Sequence, residues 1–386
     1  MRPASDARPA KPGTTMTAST ASFVLGTRPE IIKLAPVIQE CHRRGIDTHV
    51  IHTGQHYSDS LDAVFFRQLG LSPPDTNLEV GSDDHGAQTG AMLAGIEAEL
   101  HDVEPAVLFV QGDTNSTLAG ALAGSKMPVE VAHVEAGLRS FDDDMPEETN
   151  RVIIDHVSDY LFPPTEETAS LLRDEGIPED CITVTGNTVV DAVQTYDDKA
   201  ASQSQILTEL GVTEGQFDLL TAHRAETVDD RDAFERVLSG VSRASARVDS
   251  EVIYPIHPRA EDRLEEFGIA VPDRVRLVEP LGFFDFLRLE SAADLVFTDS
   301  GGVQEETSIL GTPCVTLRYG TERPETAFVG ANCVAGRDPS AIVAAAAQMR
   351  GKAGGWTTPF GDGTAAVQIL DTVPELAVEE TVTATE

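Results

Sequence analysis

The stretch DLVFTDSGGVQEET, residues 294–307, sets two glycines between an apolar run and a segment with the composition of a helix. An apolar run that ends in polar residues and glycines predicts a buried strand followed by a turn. Asp299 or Ser300 can cap the helix that follows. Gly301 and Gly302 have no Cβ, so the first backbone N–H groups of that helix can approach a phosphate closely. The stretch therefore predicts the strand, turn and helix that bind phosphate in doubly wound α/β folds.

Two glutamates, Glu305 and Glu306, follow these glycines closely. A capping box places Glu or Gln three residues after the cap, but those positions are Gly302 and Val303, so this device explains neither glutamate. The two side chains could complement the positive end of the helix dipole. Alternatively, one of them could accept both hydroxyls of a ribose, as acidic residues do in nucleotide sites. The residues alone leave both interpretations open.

Strand-like and helix-like segments alternate through almost the whole chain, which predicts parallel sheets with helices on both faces. In the first half the predicted strands are 23–26, 49–52, 106–110, 129–134 and 160–162. The pattern begins again after residue 185, with strands at 218–221, 252–255, 275–278, 294–297 and 314–317. The predicted fold class is α/β, with two Rossmann-like domains facing a cleft. Ligands of such sheets bind beyond the carboxyl ends of the strands, where most of the distinctive polar clusters lie.

Shifts in composition divide the chain into five parts. Residues 1–20, rich in Pro, Ala, Ser and Thr, are predicted to be a disordered extension, and residues 377–386 a solvated acidic tail. Residues 21–186 form the predicted N-terminal Rossmann-like domain, and residues 187–360 form the C-terminal one, which carries the phosphate-binding turn. Residues 361–376 include a final helix that is expected to pack back onto the N-terminal domain.

The charge balance separates this chain from an average globular protein. Among 386 residues, 64 Asp and Glu stand against 28 Lys and Arg, which gives a net charge of −36. A distributed acidic excess repels nucleic acid and anionic membranes and suits a protein of a salt-rich cytoplasm, so a halophilic source is expected. No apolar run approaches the roughly 20 residues that span a bilayer. Four widely separated cysteines predict reduced core thiols.

The first domain opens with VLGTRPEIIKLAP, residues 24–36, in which a strand ends at Gly26 and Pro29 suits the first helical turn. Arg28 and Lys33 stand near that helix start. Because cations are scarce in this chain, two of them beside a helix N-terminus predict a clamp for an anionic substrate.

Carboxylates follow in three further motifs: Asp113 in GDTNST, Glu135 in HVEAGLRS and Glu147 in PEETNR. Asp113 also fits the simpler role of a helix cap. Glu135 does not, because it lies between a buried strand and a glycine, and its carboxylate is expected to point into the cleft. Carboxylates gathered there would perturb one another's pKa values, as proton transfer requires.

His223 and Arg224 follow the first strand of the second domain and are expected to face the same cleft. His52 and His56 have the spacing of metal ligands, but no third ligand is evident. The three aspartates at 142–144 are typical of a solvated loop, so no metal is predicted. No Gly-x-Gly-x-x-Gly follows either first strand and no Walker lysine loop is present, so no nicotinamide or other bound cofactor is expected.

The chain resembles the non-hydrolysing UDP-N-acetylglucosamine 2-epimerases in seven ordered motifs, GTRPEIIKLAP, GDTNST, HVEAGLRS, PEETNR, TGNTVVDA, DSGGVQEE and TERPE. The resemblance covers residues from about 23 to about 370. It implies the glycosyltransferase-B architecture, a UDP-sugar substrate and a cytoplasmic homodimer that serves polysaccharide biosynthesis.

The resemblance also implies roles at the matching positions. Ser300, Gly301 and Gly302 would bind the diphosphate. Glu306 would bind the ribose hydroxyls, which favours the nucleotide interpretation of the paired glutamates. Arg28, His223 and Arg323 would surround the diphosphate. Lys33 would lie near the reacting sugar, and Phe286 and Leu281 would flank the uracil. The implied catalytic residues are Asp113, Glu135, Glu147 and His223.

The implied reaction is the reversible conversion of UDP-N-acetylglucosamine to UDP-N-acetylmannosamine. The C2 proton of the sugar is not beside a carbonyl, so its direct abstraction would be very slow. Without a nicotinamide loop, departure of UDP with loss of the C2 proton is favoured, which gives 2-acetamidoglucal and allows UDP to add back. Two alternatives remain, namely a 2-epimerase of a UDP-diacetamido-uronic acid, which needs a further cation near C6, and a UDP-sugar glycosyltransferase of the same architecture.

Overall fold

The computed structural model describes residues 20–55, 65–141 and 145–376. This part of the chain contains two six-stranded parallel sheets. The strands of the first sheet are β1 (Thr20–Leu25), β2 (Asp47–His52), β3 (Thr76–Asn77), β4 (Val107–Gln111), β5 (Glu130–Val134) and β6 (Tyr160–Phe162). They lie in the order β3-β2-β1-β4-β5-β6.

The second sheet repeats this arrangement. Its strands are β7 (Phe217–Thr221), β8 (Glu251–Pro255), β9 (Val275–Val278), β10 (Leu295–Thr298), β11 (Cys314–Thr316) and β12 (Asn332–Val334), in the order β12-β11-β10-β7-β8-β9. In each sheet the chain runs from the first strand to one edge, returns beside the first strand and continues to the other edge. A crevice opens at such a reversal point, here between β1 and β4 and between β7 and β10.

Helices cover both faces of each sheet. In the first half they are α1 (Arg28–Arg44), α2 (His85–Val103), α3 (Asn115–Gly124), α4 (Pro146–Val157) and α5 (Glu166–Asp174). In the second half they are α6 (Thr188–Gln203), α7 (Ile206–Leu210), α8 (Ala225–Val228), α9 (Arg231–Ala246), α10 (Pro258–Phe267), α11 (Phe283–Ala292), α12 (Gly301–Leu310), α13 (Pro324–Phe328), α14 (Pro339–Met349) and α15 (Ala365–Thr372).

The first strand and helix show how local sequence builds the edge of the cleft. β1 is buried from Ala21 to Leu25 because helices cover both faces of a parallel sheet. Pro29, in the first turn of α1, has the backbone angle that a helix needs, and Gly45 ends the helix in the left-handed region at φ 73°. Arg28 is therefore carried on a tight turn at the carboxyl end of β1.

The predicted elements agree with the structure except at the sheet edges. The sequence placed five strands in each half, and each sheet has a sixth, β3 or β12. These two strands are two and three residues long and lie at the edges of their sheets. They are strands only because they pair with β2 and β11. β1 begins at Thr20, one residue inside the predicted extension.

The final helix lies against the first domain. Arg44 of α1 donates to the carbonyl of Val367 at 3.2 Å and to the carboxylate of Asp371 at 2.8 Å. The largest apolar cluster also joins the two halves, since the ring of Phe65 in the first half packs against the ring of Phe283 in the second, with centroids 6.3 Å apart. The two sheets are therefore held in one orientation by shared packing on one side of the cleft.

Several sequence-based predictions fall outside the described residues: the extension up to residue 19, His56, the aspartates at 142–144 and the tail at 377–386. All four cysteines are free thiols, with Cys41 and Cys314 buried and Cys181 and Cys333 partly exposed. Within the described ranges, the helices are too short or too polar to cross a membrane.

Candidate active site

A cleft of about 460 Å³ lies between the carboxyl ends of the two sheets. Each of the seven sequence motifs contributes at least one residue to its lining. Thirteen of the residues that the sequence assigned to the cleft are among them: Arg28, Lys33, Asp113, Glu135, His223, Arg224, Leu281, Phe286, Ser300, Gly301, Gly302, Glu306 and Arg323. Residues that are up to 295 positions apart in the sequence, such as Arg28 and Arg323, therefore meet at one site.

Glu147 is placed differently from the other predicted carboxylates. It is exposed in the first turn of α4, and it is not among the described residues that line the cleft. Its neighbour Glu148 is buried and accepts hydrogen bonds from Ser140 and from Arg151 at 2.9 and 2.8 Å. Glu148 therefore fixes the start of α4, and the catalytic role of Glu147 remains a prediction.

The floor of the cleft is a ring of two cations and two carboxylates. Lys33 Nζ lies 2.7 Å from Glu135 Oε2 and 3.0 Å from Glu305 Oε2. Arg323 closes the ring, because its Nη2 lies 2.7 Å from Glu135 Oε1 and its Nε donates to Glu305 Oε1. All four side chains are buried. Buried charges need such pairing, and here the first domain supplies one cation and one anion and the second domain supplies the others.

This ring sets the charge states of the groups at its centre. Burial alone would raise the pKa of Glu135, but Lys33 and Arg323 together hold that pKa below its usual value. Burial alone would lower the pKa of Lys33, but Glu135 and Glu305 hold it above its usual value. At neutral pH, Glu135 is therefore a carboxylate that can accept a proton and Lys33 an ammonium group that can donate one.

The backbone at Glu135 is strained into the left-handed region, with φ 69°. Gly137, two residues on, has φ 79°, and a Cβ at that position would lie 2.5 Å from the carbonyl oxygen of Thr168. Only glycine fits there. A non-glycine residue in this region costs on the order of 1–2 kcal/mol, and such strain is found where function requires one direction for a side chain. Here it aims the Glu135 carboxylate at the cleft, as the sequence predicted.

Glu305 and Glu306 occupy different environments. Glu305 is 1% exposed and belongs to the ring, where it also accepts from Asn187 Nδ2 at 3.1 Å. Glu306 lines the cleft. Burial, and next the charge of Glu305, raises the pKa of Glu306 to about 7. The sequence-based interpretation treated Glu305 as a possible partner of the helix dipole and did not foresee its ion pairs with Lys33 and Arg323.

Asp113 lies across the cleft in an ion pair with Arg151. Its Oδ2 accepts from Arg151 Nη2 at 2.7 Å and from Nε at 2.9 Å. The simple capping role is excluded, because the cap of α3 is Thr114, whose side chain accepts from the backbone N–H of Thr117. Arg151 had not been singled out, although a basic residue in the PEETNR motif of so acidic a chain was an available signal.

His133 is a further residue that the sequence reasoning missed. Its Nδ1 lies 2.7 Å from Asp155 Oδ1, and its Nε2 lies 2.9 Å from the carbonyl oxygen of Gly112. The ring thereby holds the turn that carries Asp113. A histidine among the apolar residues Val131, Ala132 and Val134 of β5 is the signal that reveals it.

The N-terminus of α12 opens into the cleft without a side-chain cap. Ser300 stands at the N-cap position, but its side chain makes no capping hydrogen bond. Asp299 does not cap the helix either, which corrects the sequence-based expectation. Its carboxylate instead accepts from the backbone N–H groups of His223 and Arg224, each at 3.0 Å. The first N–H groups of α12 are thereby left for an anion.

Cations and apolar groups surround that helix end. Arg28 lies over the ring of Phe65 at 5.1 Å and lines the cleft beside His223. Burial, reinforced by Arg224, lowers the pKa of His223, although Asp299 opposes this effect. A neutral imidazole can donate one hydrogen bond to an anion without adding a charge.

Comparison with known proteins gives consistent matches over most of the chain. A family model described as UDP-N-acetylglucosamine 2-epimerase matches residues 39–374. A UDP-N-acetylglucosamine 2-epimerase of Methanocaldococcus jannaschii is 47% identical over 355 residues, which cover 90% of this chain and 97% of that protein. A crystal structure of the UDP-GlcNAc 2-epimerase of that organism, in complex with UDP-GlcNAc and UDP, is 46% identical, with a TM-score of 0.85 and coverage of 91% and 98%. A UDP-2,3-diacetamido-2,3-dideoxy-D-glucuronate 2-epimerase of Pseudomonas aeruginosa is 37% identical over 85% of this chain and 92% of that protein.

Proposed function

This chain belongs to the UDP-N-acetylglucosamine 2-epimerase family, and we propose that it interconverts UDP-N-acetylglucosamine and UDP-N-acetylmannosamine. The observation that carries the proposal is the union, in one cleft, of an uncapped helix N-terminus with a buried Lys33–Glu135 pair. The first feature suits a diphosphate leaving group, and the second suits proton transfer at the adjacent sugar.

The nucleotide is assigned to the second-domain wall of the cleft. Ser300, Gly301 and Gly302 at the start of α12 bind the diphosphate through backbone N–H groups. Glu306, on the same helix, accepts the ribose hydroxyls. The remaining substrate contacts are assigned by position in the lining: Arg28, His223 and Arg323 to the diphosphate, and Leu281 and Phe286 to the uracil.

The reaction begins with cleavage of the bond between C1 of the sugar and the UDP oxygen. The bonding electrons leave with UDP, and the C2 proton passes to a carboxylate, which gives 2-acetamidoglucal. UDP then adds back to C1 while C2 receives a proton on the opposite face. Fixed cations and helix N–H groups stabilise the charge that develops on the departing diphosphate, and positioned acids and bases carry the protons.

Glu135 and Asp113 are the carboxylates proposed to move these protons. Glu135 is kept ionised by Lys33 and Arg323 and is held at the cleft by strained backbone. Asp113 is oriented by Arg151, two N–H groups of which donate to its Oδ2. Glu147 is retained as a third predicted catalytic residue because of its motif, and His223 is assigned to the leaving group.

The charges of the lining favour a sugar with a neutral C6 group. Arg28 and Arg224 line the cleft beside His223, on the side assigned to the diphosphate. Around the sugar, Lys33, Arg323 and Arg151 each bind two carboxylates within the protein, so their charges are largely balanced there. A uronic acid at C6 would need a cation that is not balanced in this way. We therefore favour UDP-N-acetylglucosamine over the diacetamido-uronate that the Pseudomonas relative acts upon by name.

We further propose that the protein is a cytoplasmic homodimer from a halophilic microbe and that its product serves polysaccharide biosynthesis. The net charge of −36 supports the salt-rich setting, because like charges on the surface are tolerated best where salt screens them. Sedimentation in concentrated KCl measures the oligomeric state, and a monomer there would contradict the dimer.

The function is tested by incubating the purified protein with UDP-N-acetylglucosamine alone in D₂O and concentrated KCl. NMR should show deuterium at C2 together with UDP-N-acetylmannosamine. A C2 proton that persists after long incubation would contradict the proposal. A glycosyltransferase would form no new sugar nucleotide without an acceptor, and a uronate epimerase would turn over only the acidic substrate.

A further inference from the structure

Behind the proposed ribose contact lies a second glutamate that no sequence motif includes. Glu290 is on α11, in the segment LRLESAAD, and is 0% exposed. No nitrogen or hydroxyl donor in the described part of the chain reaches either of its carboxyl oxygens. The side chain that interacts with it directly is the carboxyl of Glu306. A fully buried carboxyl without a donor is unusual enough to require an explanation.

Two carboxyl groups in contact cannot both be ionised, because like charges repel strongly where water is excluded. A hydrogen bond between them also needs a proton. The surroundings offer Glu290 no cation among the described residues, since its charged and titratable neighbours on adjacent elements are Glu306 on α12 and Cys314 on β11. Burial raises the pKa of the Cys314 thiol to about 12, so this group remains neutral.

We propose that Glu290 is a protonated positioning residue, whose carboxyl O–H donates to Glu306 and keeps the other oxygen of Glu306 turned to the cleft for a ribose. The inference rests on the proposed function, because it takes the ligand of Glu306 to be a nucleotide. Glu290 itself does not touch the ligand. Its effect passes through Glu306, which also faces the charges of Glu305 and Lys33.

The two carboxyl groups divide the roles according to their burial. Burial, with Glu306 beside it, raises the pKa of Glu290 well above its usual value. Glu306 lies at the cleft surface, and the hydrogen bond from Glu290 opposes the rise in its pKa, which stands at about 7. The inner group is therefore the one that keeps its proton, and the outer group becomes the carboxylate as the pH rises above about 7. An ionised carboxylate accepts from two ribose hydroxyls, which a protonated one does less well.

The test compares two substitutions at Glu290 by calorimetric titration with UDP between pH 6 and 9. Glu290→Gln keeps a donor of similar shape and should leave the Kd for UDP within about threefold of wild type. Glu290→Met keeps the length but has no donor, so the Kd at pH 8 should rise about tenfold. In the Met variant the pH below which UDP binding weakens should move upward relative to wild type, because Glu306 has lost the bond that favours its charge.

Comparison with wild type at each pH removes the contribution of the titrating UDP phosphate. Thermal unfolding checks that both variants fold. Kd values unchanged in both variants, or equally weakened in both, would overturn the positioning role. Glu306→Gln distinguishes failure of the proposed function from failure of the positioning role. If Glu306→Gln binds UDP normally, the assignment of the nucleotide to Glu306 fails. If Glu306→Gln loses UDP affinity while Glu290→Met binds UDP normally, only the positioning role of Glu290 is refuted.

Discussion

Replacing Glu135 with glutamine is the sharpest single test of the proton-transfer site. The change removes one negative charge from a buried ring of four and leaves the shape nearly the same. Lys33 and Arg323 then share the single carboxylate of Glu305, so the ring acquires a net positive charge. We expect three effects, on turnover, on stability and on UDP affinity.

The magnitudes follow from the contacts. Loss of a positioned base slows turnover by about 10²–10⁴-fold. Removing one partner of a buried ion pair lowers the free energy of unfolding by about 3–5 kcal/mol. Because the glutamine carbonyl still accepts one hydrogen bond, we expect a loss of about 2–3 kcal/mol here. UDP affinity should be unchanged or higher, because the released positive charge favours an anion.

The assay measures turnover by the NMR method above, stability by urea unfolding and UDP affinity by calorimetry. Asp218→Asn is a matched control outside the cleft. Asp218 is 0% exposed, accepts from Arg350 at 2.6 and 2.9 Å and lies near the start of β7, at the opposite end from His223. This control should lose similar stability and keep the turnover of wild type under conditions where both are folded.

Two results would refute this reasoning. A near-normal rate in Glu135→Gln would show that another group takes the C2 proton. A large loss of UDP affinity, together with a loss of turnover no larger than the loss of affinity, would show that Glu135 organises the nucleotide site and does not act on the sugar.

Three further predictions use single positions. Gly301→Ala should fold normally, since the backbone there is helical, but the added methyl group at the start of α12 should weaken UDP binding about tenfold by calorimetry; an unchanged Kd would contradict the phosphate assignment. Gly137→Ala should lower the free energy of unfolding in urea by more than about 2 kcal/mol, because its Cβ would lie 2.5 Å from the carbonyl oxygen of Thr168. In the control Gly176→Ala, the backbone also has a positive φ of 88° but the surrounding space is open, so the loss should be only about 1 kcal/mol. Equal losses would contradict the steric explanation. The Glu306 carboxyl has a pKa of about 7 in the folded protein against an ordinary value of 4.5, so it takes up a proton on folding between these pH values. The free energy of unfolding of the wild type should therefore fall relative to that of Glu306→Gln by about 1–3 kcal/mol as the pH rises from 4.5 to 7. A constant difference between pH 5 and 8 would refute the raised pKa.

Much of the fold and of the site could be predicted from local patterns. Apolar runs that end in polar turns identified ten of the twelve strands in the described part of the chain, because burial on both faces forces a continuous apolar composition. The turns after them carried the residues that meet in the cleft, since parallel strands present their carboxyl ends at one edge. β3 and β12 escaped detection because two or three residues at an edge carry no periodic signal.

Local patterns were enough to predict the twin α/β sheets, the acidic character of the chain and the motifs at the strand ends. Long-range packing alone brings Glu305 to neutralise Lys33, 272 residues away in the sequence. The same packing leaves Glu147 exposed and sets Glu290 behind Glu306. The reason is physical. The conformation of a strand or a turn depends on neighbours along the chain, whereas the charge state of a carboxyl group depends on the water excluded and the charges brought near it when distant segments pack together.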